Sequence, residues 1–464
     1  MKRLSLPAVA AIAAFGLLGC ADENPVAPES APSFVPQASV SVDAASLDRH
    51  LVLFNGRGVP ESFAADVAGL GGSVVYSHAS GIAFVSGLSE PAAADLAKRS
   101  GVAEVMADEA VELLPVNGVQ VEAADATPAS PATPSLAFFY PRQWHLRAVG
   151  ANQAWAAGRR GSSAVTVAIL DTGIDYLLPD LVGRVDLSRS ASFVPNDDLL
   201  VQANFPGRHP VTDLHYHGTH VAATVTSNAL VAAGVTSGVT LIGVKVLGAN
   251  GSSFAGSVIA GVLFAVDNGA DVINMSLGGG FSKAGNGRSV GFINRVFNEA
   301  NREEVTVVVA AGNESADLNR NGNTFKSYCD APNVICVSAT GPTSRASLIG
   351  PWANIDAFAA YSNFGSAIGV AAPGGNTGGS VIAGCAKTSL TFRICATGNF
   401  VLNSNGTSMA SPHVAALAAL LVEDGLKPSQ IRARIRQSAD DLGAPGTDPY
   451  YGSGRINIPQ ALGL

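Results

Sequence analysis

An α/β fold, with a parallel sheet covered by helices on both faces and a smaller α+β unit before it, is predicted by three observations. Short β-rich apolar runs recur at 164–171, 241–247, 271–276, 305–311, 333–340 and 368–372, with helix-like stretches such as 256–268 and 288–301 between them. Runs that are apolar at every residue suit strands buried on both faces, and their alternation with helices implies a parallel sheet with crossover helices. Before them, HLVLFN, ESFAADVAGL, SVVYSH, GIAFVSGL, EPAAADLAKRS and VAEVMADEAVELL run strand, helix, strand, strand, helix, strand across 48–114. That order is the ferredoxin-like arrangement. Finally, 464 residues that are 47% hydrophobic and 14% charged are enough to bury a large core and a second, smaller one.

The flanks carry different signals. Lys2 and Arg3 precede an uncharged apolar stretch, 4–19, ending LLGC at Cys20. A basic start, a short apolar run and a small residue before the cut read as an export signal over 1–19. The stretch falls short of the ~20 residues a membrane span needs. A cysteine directly after Leu17-Leu18-Gly19 resembles the bacterial lipobox, which implies lipidation at Cys20 and a chain exported from a bacterial cell, membrane-anchored or extracellular. Residues 20–47, rich in Pro, Ala and Ser, read as a flexible tether. Reserving Cys20 for lipid leaves four of the five cysteines, and four cysteines allow three pairings. Close spacing favours Cys329–Cys336 and Cys385–Cys395; a buried free thiol at Cys336 and the crossed pairing stay open. A net charge of −8 without basic clusters gives no reason to expect a nucleic-acid partner.

The chemistry lies in short motifs. Asp171 follows the buried run AVTVAIL and opens DTGID; catalytic groups gather at such carboxyl ends of parallel strands. His217 opens HGTHVA, where Gly218 lets a helix start close to the sheet. Ser408 lies in GTSMASPHVAA at the start of a small-residue helix, among unpaired N–H groups that favour developing negative charge. Pro412 suits that helix's first turn. A serine hydroxyl needs an imidazole to take its proton and a carboxylate to orient the imidazole. The order Asp, His, Ser distinguishes this chain from the His, Asp, Ser and Ser, Asp, His arrangements of other serine hydrolases.

From about residue 140 to 464 these motifs resemble the subtilisin family of serine endopeptidases. The resemblance implies Asp171, His217 and Ser408 as catalytic triad, with Asn313 in VTVVVAAGN donating to the oxyanion beside the Ser408 N–H. It implies structural roles for His220 and His413 and gives none to His215. Ser276, Leu277 and Gly278 would form one wall of the substrate cleft and Gly251, Ser252 and Ser253 the opposite edge. No charge stands in either segment, so small or apolar pockets are expected. Residues 48–114 resemble the family's inhibitory propeptide, 115–137 an exposed processing linker without structure, and 138–464 the peptidase domain. GSGRINIPQALG resembles the terminal helix, so no further domain is expected. Partners would be polypeptide substrates, the chain's own propeptide as intramolecular inhibitor, and a membrane through the lipid anchor; a monomer is expected. Catalysis needs no cofactor.

Two features depart from the family pattern. Extra residues lie at about 187–212 and 374–400, where insertions shape access. The Asn-rich loop of the family's strong calcium site is not found after HGTHVAATV, although PNDD (195–198) and ADLNRNGN (316–323) could bind structural calcium through oxygen ligands. Two rival readings use the same residues, a catalytically silent scaffold and an esterase or peptide ligase.

Overall fold

The structure, a computed structural model, describes residues 48–114, 117–278, 281–282, 287–320, 324–325 and 328–464. The export signal, Cys20 and the whole tether lie outside the described residues.

The first part folds as β1 (His50–Phe54), α1 (Phe63–Gly69), β2 (Ser73–His78), β3 (Ile82–Ser86), α2 (Glu90–Leu96) and β4 (Val102–Ala107). Its sheet has the order β2-β3-β1-β4 with antiparallel neighbours, as the ferredoxin-like reading requires. All of β1 is buried because it serves two cores. Val52 and Phe54 pack on Phe63, Val67 and Leu96 beneath its own helices. Leu51 and Leu53, one residue out of phase, join a core supplied by the following domain.

The rest contains β5 (Ala110–Glu112), β6 (Asn117–Ala123), α3 (Trp144–Ala148), α4 (Ala151–Ala156), β7 (Thr166–Asp171), β8 (Ala191–Ser192), α5 (Pro195–Asn204), α6 (His217–Val225), β9 (Thr240–Lys245) and β10 (Ser252–Phe254). Then follow α7 (Ala255–Asp267), β11 (Val272–Met275), β12 (Phe281–Ser282), α8 (Gly287–Arg302), β13 (Thr306–Ala310), β14 (Thr324–Phe325), β15 (Val334–Thr340), β16 (Ser344–Arg345), β17 (Trp352–Ala353) and β18 (Val370–Pro373). β19 (Val381–Gly384), β20 (Phe400–Asn405), α9 (Thr407–Glu423), α10 (Pro428–Gln437) and α11 (Ile458–Leu462) complete it. The seven-stranded sheet β18-β15-β13-β11-β7-β9-β8 is parallel throughout. Period-2 alternation splits each strand between two cores. Val167, Ile169 and Val308 face α6 and α9, whereas Ala168, Leu170 and Val307 face α7 and α8. The chain passes from β7 to β9 on one side and then crosses back to β11 on the other, so the winding reverses at β7, which places a crevice at its carboxyl end.

All six expected strands are present, and β8 is an added edge inside the insertion at 187–212. Two expectations change. PNDD opens the helix α5 instead of a ligand loop, with Pro195 in its first turn and Asp197 and Asp198 at its positive end. The linker is not structureless: Asn117–Ala123 is a strand, paired antiparallel to β20 in the sheet β19-β20-β6. Both favoured disulfides, Cys329–Cys336 and Cys385–Cys395, are formed.

The first part docks on α7 and α8. Asp108 Oδ1 accepts from the Gly256 N–H at 2.8 Å, capping α7, and its other oxygen takes Arg49 Nε at 3.0 Å. Arg57 pairs with Glu299, and Arg295 of α8 donates to the Phe54 carbonyl at 2.8 Å.

Candidate active site

Asp171 ends β7, fully buried. Its Oδ1 accepts from the Thr172 N–H and lies against His217 Nδ1, each at 2.8 Å. The carboxylate side of that bond can only accept, so Nδ1 carries the proton and Nε2 presents its lone pair, the tautomer of a general base. The helix carrying His217 starts against the turn after β7. A Cβ on Gly218 would meet the Gly173 carbonyl at 2.1 Å, so only glycine permits this approach, and the Gly218 N–H reaches Thr172 Oγ1 at 3.0 Å.

Ser408 is the second residue of α9 and is buried. Pro412, expected in the first turn, stands one turn further in. Its missing N–H leaves the Ser408 carbonyl without its helical donor. Ser276 Oγ replaces that donor at 2.9 Å, and Ser411 Oγ and Asn274 Nδ2 bond the Ser276 hydroxyl at 2.8 and 2.9 Å. The Ser276 side chain therefore braces the nucleophile's helix instead of lining the cleft, and its carbonyl accepts from Ser408 Oγ at 3.2 Å. Among the described residues His217 Nε2 has no hydrogen-bond partner. Asp171 and His217 are thus paired, while the Ser408 hydroxyl is turned to the Ser276 carbonyl. Leu277 and Gly278 follow as buried residues.

Asn313 follows β13. Its Oδ1 accepts from the Thr407 N–H and Oγ1, both at 2.8 Å, which fixes the orientation of the amide. Nδ2 then faces the turn before Ser408: a Cβ on Gly406 would lie 3.2 Å from it.

The chain's own segment occupies both edges of this crevice. β5 pairs antiparallel with β10, with Glu112 opposite Ser252 and Val111 opposite Ser253, and the Leu113 N–H reaches the Gly251 carbonyl at 2.7 Å. Residues 252 and 253, expected as an edge strand, thus carry a paired strand; on the other edge β6 lies along β20, which runs into Ser408.

Sequence reasoning missed Asp213. Fully buried, it accepts from Thr172 Oγ1, the His215, Tyr216 and Thr219 N–H groups and Thr219 Oγ1, at 2.9, 2.9, 3.1, 3.0 and 2.6 Å. It ties the turn after Asp171 to the first turn of α6 and so holds acid and base together. Burial pushes its carboxyl up to about 6 against those donors, and the Asp171 charge adds to the rise. The available signal was a carboxylate four residues before the base, with threonine inside each neighbouring motif.

Of the other histidines near the site, His145, His220 and His413 are fully buried, and burial lowers all three. His413 Nδ1 donates to the Met409 carbonyl at 2.8 Å, so its Nε2 accepts from His145 Nδ1 at 2.8 Å. His220 Nε2 bonds the Leu402 carbonyl at 3.1 Å. Burial depresses His220 to about 3 and His413 to about 4. His215 stacks on Tyr216 at 4.3 Å and falls to about 4, through burial and then the His217 charge.

Calcium does not fit the loop after α6. There Asp180, buried, accepts the Leu230 and Val231 N–H groups on Oδ1 (2.8 and 3.0 Å) and the Ala232 N–H on Oδ2 (3.0 Å). Three inward N–H dipoles have the wrong polarity for a cation. The other two candidates are engaged as well: Asp197 pairs with buried Lys245 at 2.8 Å, and Asp317 caps the Asn319 N–H at 2.9 Å and meets Arg320 at 3.4 Å. Residues 321–323 of the second lie outside the described residues.

Residues 162–454 match the subtilase family. The chain is 33% identical over 335 residues to the thermophilic serine proteinase of Bacillus sp. (strain AK1), covering 71% of this chain and 69% of that protein. It is 33% identical over 334 residues to thermitase of Thermoactinomyces vulgaris, covering 71% of this chain and 99% of that one. Among solved structures, fervidolysin from Fervidobacterium pennivorans, described as a keratinolytic enzyme related to subtilisin, superposes with a TM-score of 0.66 at 23% identity. The match covers 92% of this chain and spans 62% of fervidolysin's, and at that identity it speaks for the fold alone. With a subtilase match across most of the chain and a parallel sheet that brings Asp171 to His217 beside the Ser408 helix, the chain belongs to the subtilase family and is a serine endopeptidase.

Proposed function

We propose that this chain is an exported, lipid-anchored endopeptidase, made as a zymogen that cuts itself. Ser408 Oγ attacks the peptide carbonyl, and His217 Nε2 takes its proton and returns it to the leaving amine. Asp171 holds the imidazole and stabilises its charged form, while Asn313 Nδ2 and the Ser408 N–H receive the oxyanion. Polypeptide substrates add as a strand to the edge of β10, with Leu277 and Gly278 opposite. The observation that carries the reading is the chain itself: β5 is strand-paired on one side of the crevice and β6, a few residues later in sequence, on the other, so the proposed cut lies between them. The Leu113 N–H is held by the Gly251 carbonyl, and the cut is placed one residue further on, at the Leu114–Pro115 bond.

The test is expression of wild type and Ser408→Ala in a host lacking other exported proteases. Wild type should label with a fluorophosphonate and yield two fragments; the alanine variant should stay one chain. Processing of the variant at the same site and rate would exclude self-cleavage. The anchor is read from LLGC, and Cys20→Ser should move the protein out of the membrane fraction. Among the described residues no helix is long and apolar enough to cross a membrane. Quantitative retention of the serine variant in membranes would refute lipidation.

A further inference from the structure

We propose that the segment from Asn117 to Ser130 is a second inhibitory strap, lying on the leaving-group side of the cleft and outlasting the first cut. The inference rests on the self-processing reading above and concerns how the same site is regulated. β6 pairs with β20 from Asn117 opposite Asn405 to Ala123 opposite Phe400, and β20 leads straight into Ser408, so β6 fills the edge on which the departing half of a substrate would lie.

Three features make this more than a passing linker. Beyond β6 the contact continues: the Ala124 N–H donates to the Asn399 carbonyl at 2.9 Å, Thr127 Oγ1 to Leu230 at 2.8 Å, and the Ser130 N–H to Asn228 at 2.9 Å. Val119 and Val121 pack on Tyr216, Leu402 and the Cys385–Cys395 bridge, the residue beside the base and the bridge of the inserted loop. Glu122, the last residue but one of the strand, is held by both ends of the Arg142 guanidinium at 2.5 and 2.8 Å and by Asn403 Nδ2 at 2.7 Å. The arginine beside it keeps the carboxyl below its ordinary range.

The consequence follows from connectivity. Hydrolysis after Leu114 adds water across one amide bond, leaving the carboxylate on the 48–114 half and the amine on the other. The inhibitory domain is then held by contacts alone and can be lost. β6 stays covalently joined to the peptidase through residues 124–137, so it rebinds as an intramolecular ligand at high effective concentration. The first cut therefore opens the acyl side of the cleft and leaves the leaving-group side closed. A second cut, between Ala123 and Ala137, must release β6. Asp125, Ala126, Pro128 and Ala129 are exposed there and available to another protease molecule.

The test follows wild-type full-length protein through maturation with two substrates, the anilide of residues 110–114, which has no extended leaving group, and an internally quenched peptide reaching at least six residues beyond its cut. N-terminal sequencing and fluorophosphonate labelling run at each stage. The species beginning at 115–117 should label and turn over the anilide, with quenched-peptide hydrolysis per labelled site at least about tenfold below its final value, rising only when the N-terminus lies beyond Ala123. Glu122→Ala should raise the quenched-peptide rate of the first-cut species about tenfold, the factor expected for losing bidentate charge-assisted bonds. A first-cut species that already shows the final ratio of the two rates overturns the strap. Absence of labelling and of both activities at every stage would instead overturn the peptidase reading, and the strap with it.

Discussion

Replacing Asp180 by alanine should destabilise the fold through the loop after α6 and through nothing else. The carboxylate is the acceptor for three main-chain donors, of Leu230, Val231 and Ala232, and Val231 and Ala232 are 4% and 2% exposed. A buried donor left without an acceptor costs about 1–3 kcal/mol. Because the loop can relax and admit water, the sum for the three is set at about 3–5 kcal/mol. In a chain of this size each kcal/mol lowers Tm by roughly 2–4 °C or less, so a drop of about 10 °C is the upper range. Asn at this position should fall between, since its single oxygen serves the Oδ1 pair while its amide confronts the Ala232 N–H. Measurements belong in the Ser408→Ala background, where unfolding is not confounded by self-digestion, with hydrogen exchange read at 228–233. A loss below about 1 kcal/mol would show that the donors find other partners. Calcium that stabilised the wild-type loop and not the Asp180→Ala protein would show that the carboxylate is a cation ligand, and the polarity argument would fail.

The remaining predictions concern the site and its acid response. Asn313→Ala should lower kcat by about 10²–10³ per labelled site with little change in KM, because the amide donates chiefly in the transition state; activity within about threefold of wild type would place the oxyanion donor elsewhere. His220 and His413, at about 3 and about 4 when folded, bind protons more weakly than the unfolded chain, so their stability contribution is complete above pH 6.5 and lost as pH falls. At pH 5 that loss is about 2 kcal/mol each. Asp213, raised to about 6, acts with the opposite sign, gaining protons in the folded state between pH 6 and 4 and returning about 1–2 kcal/mol. These three groups together should lower the stability of the Ser408→Ala protein by about 2–3 kcal/mol from pH 7 to 5, with His215 and His145, also depressed by burial, adding to the fall, and an added Asp213→Asn change should steepen it; a flat profile in both would refute the assignment of neutral buried histidines.

The parallel sheet was legible because both its faces are covered: strands such as Thr306–Ala310 have no polar alternation to blur, and the runs bounded them within a few residues. The reactive positions were legible for a related reason, since each sits where a strand ends or a helix begins and the motif around it records that local geometry. Gly218 is the clearest case, because its own lack of a Cβ reports the approach of α6 to the turn after β7. What was read wrongly depends on partners distant in sequence. The residue type at Ser276 was noticed, yet nothing local says that its hydroxyl would fill the gap left by Pro412 while its carbonyl faced the nucleophile. PNDD carries a helix-start signature, proline followed by acidic residues, and the same side chains suit oxygen ligation, so composition alone left both uses open.

The strap is the instructive miss. NGVQVEA alternates apolar and polar residues as an edge strand does, with Val119 and Val121 on one face and Gln120 and Glu122 on the other. A Pro- and Ala-rich stretch directly after it suggested a linker, and its partner strand lies about 280 residues away in sequence. Composition judged the segment by its neighbours, and the period-2 alternation of its own residues, which marks the strand, went unread. The proposed function rests on the same alternation: it pairs β6 with β20 just before Ser408, and on the self-processing reading the segment would serve as substrate before the first cut and as tethered inhibitor after it.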